Sequence, residues 1–205
     1  EEALRLAGEQ ALGGRALVLT SPLNTRLPAN LGMISGLRLV GGSDLPETAA
    51  LRKWRERALG TGKGAKAAPG LLNFAAMRVL LVTPDNAPPA DEPGNGLFLR
   101  QLPTQGDLSI FLNENALPRA YWVPYCRTAQ GVDTALDVLT EPAFDNTRVC
   151  VVDPTAQDSR PIGTLPDAPA QPLPPETPAW QDAPCAIQDL SPEDVKITVT
   201  APRAG

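Results

Sequence analysis

The 205-residue sequence contains no histidine. Without an imidazole, these residues cannot by themselves form a Ser-His-Asp or Cys-His catalytic centre, a histidine-ligated zinc site or a histidine proton shuttle. Catalysis would have to depend on carboxylates, lysine, tyrosine or backbone amides. We therefore expect a chain that is not an enzyme on its own and that holds no cofactor.

Aromatic residues and cysteines are scarce. Aromatic residues make up 4% of the chain, so its core must consist mainly of leucine, valine and alanine. Cys126, Cys150 and Cys185 lie far apart and form no CxxC pair, which argues against a metal site. Buried thiols are the simplest interpretation. The alternative, in an oxidising compartment, is a disulfide between Cys150 and Cys185, because both lie in apolar segments that flank a proline-rich stretch.

The chain has no excess of positive charge, with 18 lysines and arginines against 23 acidic residues. Domains that bind nucleic acid usually carry a basic surplus, so we predict no nucleic-acid partner. Positive charges do cluster in one predicted helix, at Arg52, Lys53, Arg55 and Arg57. This basic segment could bind anionic lipid headgroups or a lipid-linked phosphate. The alternative is an ordinary solvated helix face.

No apolar run approaches the roughly 18 residues of a membrane span. Short strands and helices alternate instead. Periodicity and turn residues predict helices at 2–12, within 43–60, at 70–76 and at 132–140, and strands at 15–20, 78–83, 97–102, 107–113, 119–126, 148–153, 185–189 and 195–200. This alternation favours an α/β (mixed α+β) fold, in which a mixed sheet has flanking helices and a β-hairpin follows at the C-terminal end.

Proline is concentrated between Pro154 and Pro184, where it accounts for nine of 31 residues. Because proline interrupts helices and central strands, this stretch is predicted to be an extended strap or linker. We therefore divide the chain into an α/β domain at 1–153, a strap at 154–184 and a β-hairpin at 185–205. The last predicted strand alternates apolar and polar residues and needs a partner, so we expect a truncated β region and a longer parent protein.

Arg119 occupies an unusual position directly after a proline. Pro118 fixes its own φ and pushes Leu117 toward an extended conformation, so the chain must turn at a defined place. Arg119 then becomes the first residue of the strand predicted at 119–126. There its planar guanidinium could tie carbonyls or a carboxylate together as a structural staple. The alternative is that it faces an acidic or phosphorylated ligand.

The same region carries a family resemblance. The segments VLLVTPD, LSIFLNENALPRAYWV and GVDTALDVLTEPAFDNTRVCVVD, in this order, resemble the C-terminal extracytoplasmic region of the YfhO-like bacterial membrane proteins. The resemblance implies a non-catalytic, water-soluble domain in the periplasm or at the cell surface, tethered to the cytoplasmic membrane through a multi-pass parent. It also implies that the parent is glycosyltransferase-like and acts on lipid-linked sugars or cell-envelope polymers.

The resemblance implies the membrane domain of the parent chain as a partner. The residues themselves add anionic lipid headgroups or envelope glycans as candidate partners, with Arg119 and the basic segment as the candidate ligand-binding residues. A hypothesis of a different class is a free-standing secreted or periplasmic module for carbohydrate binding or adhesion. A third is a carboxylate-dependent hydrolase built on the loop that contains Asp85, Asp91 and Glu92. About ten membrane spans in the parent gene would favour the first, and a lone signal peptide would favour the second.

Overall fold

A computed structural model describes residues 2–11, 14–19, 48–61, 67–84, 86, 97–104, 107–154, 185–189 and 195–200. The chain divides into two compact units, Glu1–Arg119 (unit 1) and Ala120–Gly205 (unit 2). The proline-rich strap predicted at 154–184 lies, apart from Pro154, outside the described residues. The domain boundaries predicted at its two ends therefore stay predictions.

Unit 1 is built on a mixed sheet. Its described elements are α1 (Glu2–Ala11), β1 (Arg15–Leu19), α2 (Ala49–Leu59), α3 (Gly70–Phe74), β2 (Met77–Val82), β3 (Leu99–Leu102) and β4 (Ser109–Asn113). The strand order is β1-β2-β4-β3. β1 runs parallel to β2, whereas β4 is antiparallel to both of its neighbours. The predicted mixed sheet with flanking helices is confirmed.

The core of unit 1 centres on β2, an inner strand of this sheet. Val79, Leu80 and Leu81 are fully buried, as expected for a continuous apolar run that is covered on both faces. On one face, Val79 and Leu81 pack in a cluster with Ala7 and Ala11 of α1. The small alanine side chains let this helix approach the sheet closely.

Helix α2, which carries the basic segment, has well-defined ends. The Thr48 side chain accepts a hydrogen bond from the Leu51 backbone N–H at 3.2 Å and caps the N-terminus. Gly60 ends the helix with a left-handed φ of 69°, as the sequence predicted. The candidate caps Ser43 and Asp44 lie outside the described residues.

Unit 2 contains a parallel strand pair and a hairpin. Its described elements are β5 (Tyr125–Thr128), α4 (Gly131–Leu139), β6 (Val149–Val152), β7 (Cys185–Asp189) and β8 (Val195–Val199). β5 and β6 pair in parallel on either side of α4 in the sequence. β7 and β8 form the predicted antiparallel hairpin, with Ile187 opposite Ile197.

The predicted start of the strand at 119–126 is wrong, because the observed strand begins only at Tyr125 and runs to Thr128. Residues 119 and 120 form a bend, and residues 121–123 have no regular secondary structure. Pro118 and Pro124 bracket this stretch, and neither has a backbone N–H to donate to a sheet. The strand was predicted there because residues 121–123, YWV, form an apolar run.

Among the described helices, none combines the length and the apolar character that crossing a membrane requires.

Candidate functional site

The basic segment forms an exposed surface of α2 in unit 1. Arg52, Lys53 and Arg55 are exposed, and Arg57 is half-buried. Ala58 is the buried residue of this helix, so the helix contacts the rest of the unit through its apolar side. The structure therefore confirms the helix that carries these charges. Their binding to an anionic partner stays a prediction.

Arg119 lies in the bend after Pro118, not in a strand, and it is half-buried. The structure brings it near Arg15, the first residue of β1. Partial desolvation, and next the positive charge of Arg119, lower the pKa of Arg15 below its usual value. The Arg15 Nη1 also donates a hydrogen bond to the Ala75 carbonyl at 3.4 Å. Two guanidinium groups thus share one part of the surface of unit 1.

Arg78 lies at the same end of the sheet as Arg15, because Arg15 is the register partner of Met77, the residue before Arg78. It is the second residue of β2, and its Nη1 donates to the carbonyl oxygens of Asn113 at 3.2 Å and Glu114 at 3.5 Å. The first of these bonds ties β2 to the last residue of β4. Of these three arginines the sequence indicates only Arg119, because Arg15 and Arg78 come to one end of the sheet through the parallel pairing of β1 with β2.

The corner between β4 and Pro118 is held by two buried asparagines, Asn73 and Asn113, which no pattern in the sequence marks as site residues. The Asn113 Nδ2 donates to the Asn73 side-chain oxygen at 2.8 Å and to the Met77 carbonyl at 2.9 Å. The Leu117 N–H donates to the Asn73 carbonyl at 3.1 Å. These bonds fix the chain just before Pro118 and so position Arg119.

In unit 2, the three cysteines are thiols in this structure, with Cys126 buried and Cys150 and Cys185 half-buried. The disulfide predicted between Cys150 and Cys185 is not formed in it and stays a prediction. Burial raises the pKa of both of these thiols. For Cys185, the backbone N–H of Trp122 acts in the opposite direction.

The surroundings of Tyr121 shift its phenol from its usual pKa. Its hydroxyl donates to the Asn146 carbonyl at 3.0 Å. Burial, and next the negative charges of the Cys150 thiolate and the Asp145 carboxylate, raise the pKa of Tyr121 to about 12. A phenol with this pKa remains protonated at neutral pH, which makes Tyr121 a structural donor and a poor general base.

Within the described residues, no group of three or more histidine, cysteine, aspartate or glutamate side chains is placed to hold a metal ion. The carboxylate loop with Asp85, Asp91 and Glu92, on which the hydrolase hypothesis depends, lies outside them.

Comparison of the chain with known protein families, with curated proteins and with solved structures found no match. The likeness to the YfhO-like proteins therefore stays a hypothesis that depends on the segments quoted above. The class of fold is established independently, as a mixed α+β structure with a four-stranded mixed sheet and an antiparallel C-terminal hairpin.

Proposed function

We propose that this chain is a non-catalytic extracytoplasmic domain of a multi-pass, glycosyltransferase-like bacterial membrane protein, and that unit 1 binds the anionic group of a lipid-linked or polymeric substrate. The observation that carries the binding proposal is that Arg119 lies close enough to Arg15 for its positive charge, after the larger effect of desolvation, to lower the pKa of Arg15. The membrane-bound parent is supported by the resemblance of the segments around Leu-Pro-Arg-Ala.

Two guanidinium groups near one another repel, and an anion placed between them attracts both and offsets that repulsion. The planar donor fork of arginine matches the oxygens of phosphate and carboxylate groups. Arg119 is also held in place, since the hydrogen bond from Leu117 to the Asn73 carbonyl anchors the chain two residues before it. A positioned pair of arginines recognises an anion at a lower entropic cost than two mobile side chains.

The basic segment on α2 supplies a second positive surface to the same unit. Arg52, Lys53 and Arg55 are exposed, and each cation near an anionic membrane contributes about 1 kcal/mol of attraction. Such a surface would draw unit 1 toward the headgroups in which a lipid-linked substrate is embedded.

The binding proposal is tested with inorganic phosphate and with vesicles that contain phosphatidylglycerol. We expect Arg119→Gln and Arg15→Gln each to weaken phosphate binding, measured by calorimetry, at least fivefold, because each removes one of the two guanidinium groups. We expect Arg52→Gln combined with Lys53→Gln to weaken vesicle binding and to leave phosphate binding unchanged.

The matched control is Arg5→Gln, which makes the same change of charge on α1 in the same unit, where Arg5 is exposed and paired with Glu9. If Arg5→Gln weakens phosphate binding as much as Arg119→Gln does, the effect is one of net charge and the arginine pair is not a site. A parent reading frame without membrane spans would contradict the membrane-anchored part of the proposal.

The second candidate, a free-standing adhesion or carbohydrate-binding module, is favoured by strand β8 of the hairpin. Val195, Ile197 and Val199 alternate along β8 and are 40%, 53% and 41% exposed. Apolar side chains in such a row are typical of contact surfaces. Loss of binding to immobilised envelope glycans on Ile197→Thr, with no effect of Arg119→Gln, would favour this module over the first proposal.

A further inference from the structure

Two cysteines of unit 2 lie opposite one another on neighbouring strands. Cys126 of β5 is the register partner of Cys150 of β6 in their parallel pairing. Register partners point to the same face of a sheet, and neighbouring strands lie about 4.8 Å apart. That separation is within the roughly 4.4–6.8 Å between Cα atoms that a disulfide spans.

The Cys150 side chain is directed toward β5. Its Sγ donates a hydrogen bond to the Tyr125 carbonyl, one residue before Cys126, at 3.5 Å. After burial, the neighbouring Cys126 is the second cause that raises the pKa of the Cys150 thiol, so the two sulfur atoms share one environment. Cys126 is only 6% exposed, whereas Cys150 is half-buried.

We propose that Cys126 and Cys150 are a reversible dithiol–disulfide pair that covalently joins the adjacent strands β5 and β6, which α4 connects in the sequence. The oxidant is a disulfide, either a small molecule such as oxidised glutathione or a protein disulfide. This pairing leaves Cys185 as a thiol, on β7 beside the backbone N–H of Trp122. The proposed bridge therefore differs from the one predicted from the sequence, in which Cys185 was the partner of Cys150.

The exchange proceeds in two balanced steps. The more accessible Cys150 attacks one sulfur of the oxidant as a thiolate, which forms a mixed disulfide and releases the first thiol of the oxidant. Cys126 then attacks the Cys150 sulfur, which forms the bond between the two Sγ atoms and releases the second thiol. Two electrons pass to the oxidant, and the two cysteine protons end on the two released thiols.

The raised pKa of Cys150 sets the pH dependence of this reaction. The thiolate is the attacking species, so below the pKa of the thiol the rate increases about tenfold for each pH unit. Oxidation is therefore slow at neutral pH and faster at pH 8.

The test oxidises the reduced full chain with glutathione disulfide at pH 8, blocks the remaining thiols and maps the bridge by peptide mass spectrometry. In the unsubstituted chain we expect a Cys126–Cys150 bridge, one thiol left at Cys185 and full reversal by dithiothreitol. Cys185→Ser should form the same bridge, whereas Cys126→Val, which keeps the buried position apolar, should stop at a glutathione adduct on Cys150.

Mapping in the unsubstituted chain makes the result independent of any folding defect in a variant. A bridge between Cys150 and Cys185 would overturn the proposal. So would an unsubstituted chain in which all three thiols still react with the blocking reagent after prolonged oxidation.

Discussion

The Asn113 side-chain amide donates a hydrogen bond to the Asn73 side-chain oxygen at 2.8 Å, and both residues are buried. The same amide donates to the Met77 carbonyl at 2.9 Å, and the Asn113 side-chain oxygen accepts from the Asn115 N–H at 3.2 Å. One side chain at the end of β4 thus joins α3, the start of β2 and the turn that leads to Pro118. The position of Arg119 depends on this network.

We therefore predict that Asn113→Ala destabilises unit 1 by about 2 kcal/mol, because it leaves the Met77 carbonyl and the Asn73 side-chain oxygen buried without their donor. Urea denaturation followed by circular dichroism measures the change. The control is Asn115→Ala, since Asn115 is exposed and its backbone N–H is retained. We expect that substitution to change the free energy of unfolding by less than about 0.5 kcal/mol. Equal losses in the two variants would show that the network does not stabilise the fold.

Local periodicity explains which elements the sequence could predict. The buried run of β2, the amphipathic pattern of α4 at 131–139 and the alternation in β8 each carry their signal within a few neighbouring residues, and all three elements are present. The strand predicted at 119–126 was placed too early, because the apolar run YWV at 121–123 lies between two prolines. Its composition is that of a strand, but its backbone is not paired as one.

The candidate sites were less predictable because they depend on contacts between distant segments. Arg119 was identified from its place after Pro118, but nothing in the sequence indicates that Arg15 is its neighbour. Similarly, the pairing of Cys126 with Cys150 depends on the register of two parallel strands. A shift by one residue would place the two side chains on opposite faces of the sheet.

Two glycines with positive φ allow backbone strain to be separated from steric clash. Gly60 has φ of +69°, and a Cβ added there would lie 2.9 Å from the Ala67 Cβ and 3.1 Å from the Ala67 backbone nitrogen. Gly131 has φ of +78°, but an added Cβ would meet no atom within 4 Å. We predict that Gly131→Ala costs about 1 kcal/mol, the cost of a left-handed conformation for an L-residue.

Gly60→Ala should cost clearly more than Gly131→Ala, because the added methyl group also displaces the backbone at Ala67. Hydrogen exchange measured separately in α2 and α4 reports the local loss of stability in each unit. If the two substitutions have equal effects, the chain at Ala67 moves away freely and the close contact does not restrain the end of α2.

The final prediction concerns pH and Tyr121. Burial, followed by the charges of Cys150 and Asp145, raises the pKa of this phenol to about 12, compared with about 10 in an unfolded chain. The folded state therefore favours the neutral phenol, which donates to Asn146. This contribution to stability is fully present below pH 10 and is lost as the pH rises from about 10 to about 12, since the unfolded chain releases its proton first.

The chain contains two tyrosines, so Tyr125→Phe leaves Tyr121 as the only phenol. Its ionisation is followed by absorbance at alkaline pH, and we expect a midpoint near 12 in the folded protein and near 10 in denaturant. Other groups also titrate in this range, so the stability of Tyr125→Phe is compared with that of the double variant that adds Tyr121→Phe. Any pH dependence of stability that is present in Tyr125→Phe and absent from the double variant is due to Tyr121. A folded-state midpoint near 10 would mean that the phenol is solvated and that its hydrogen bond to Asn146 contributes little to unit 2.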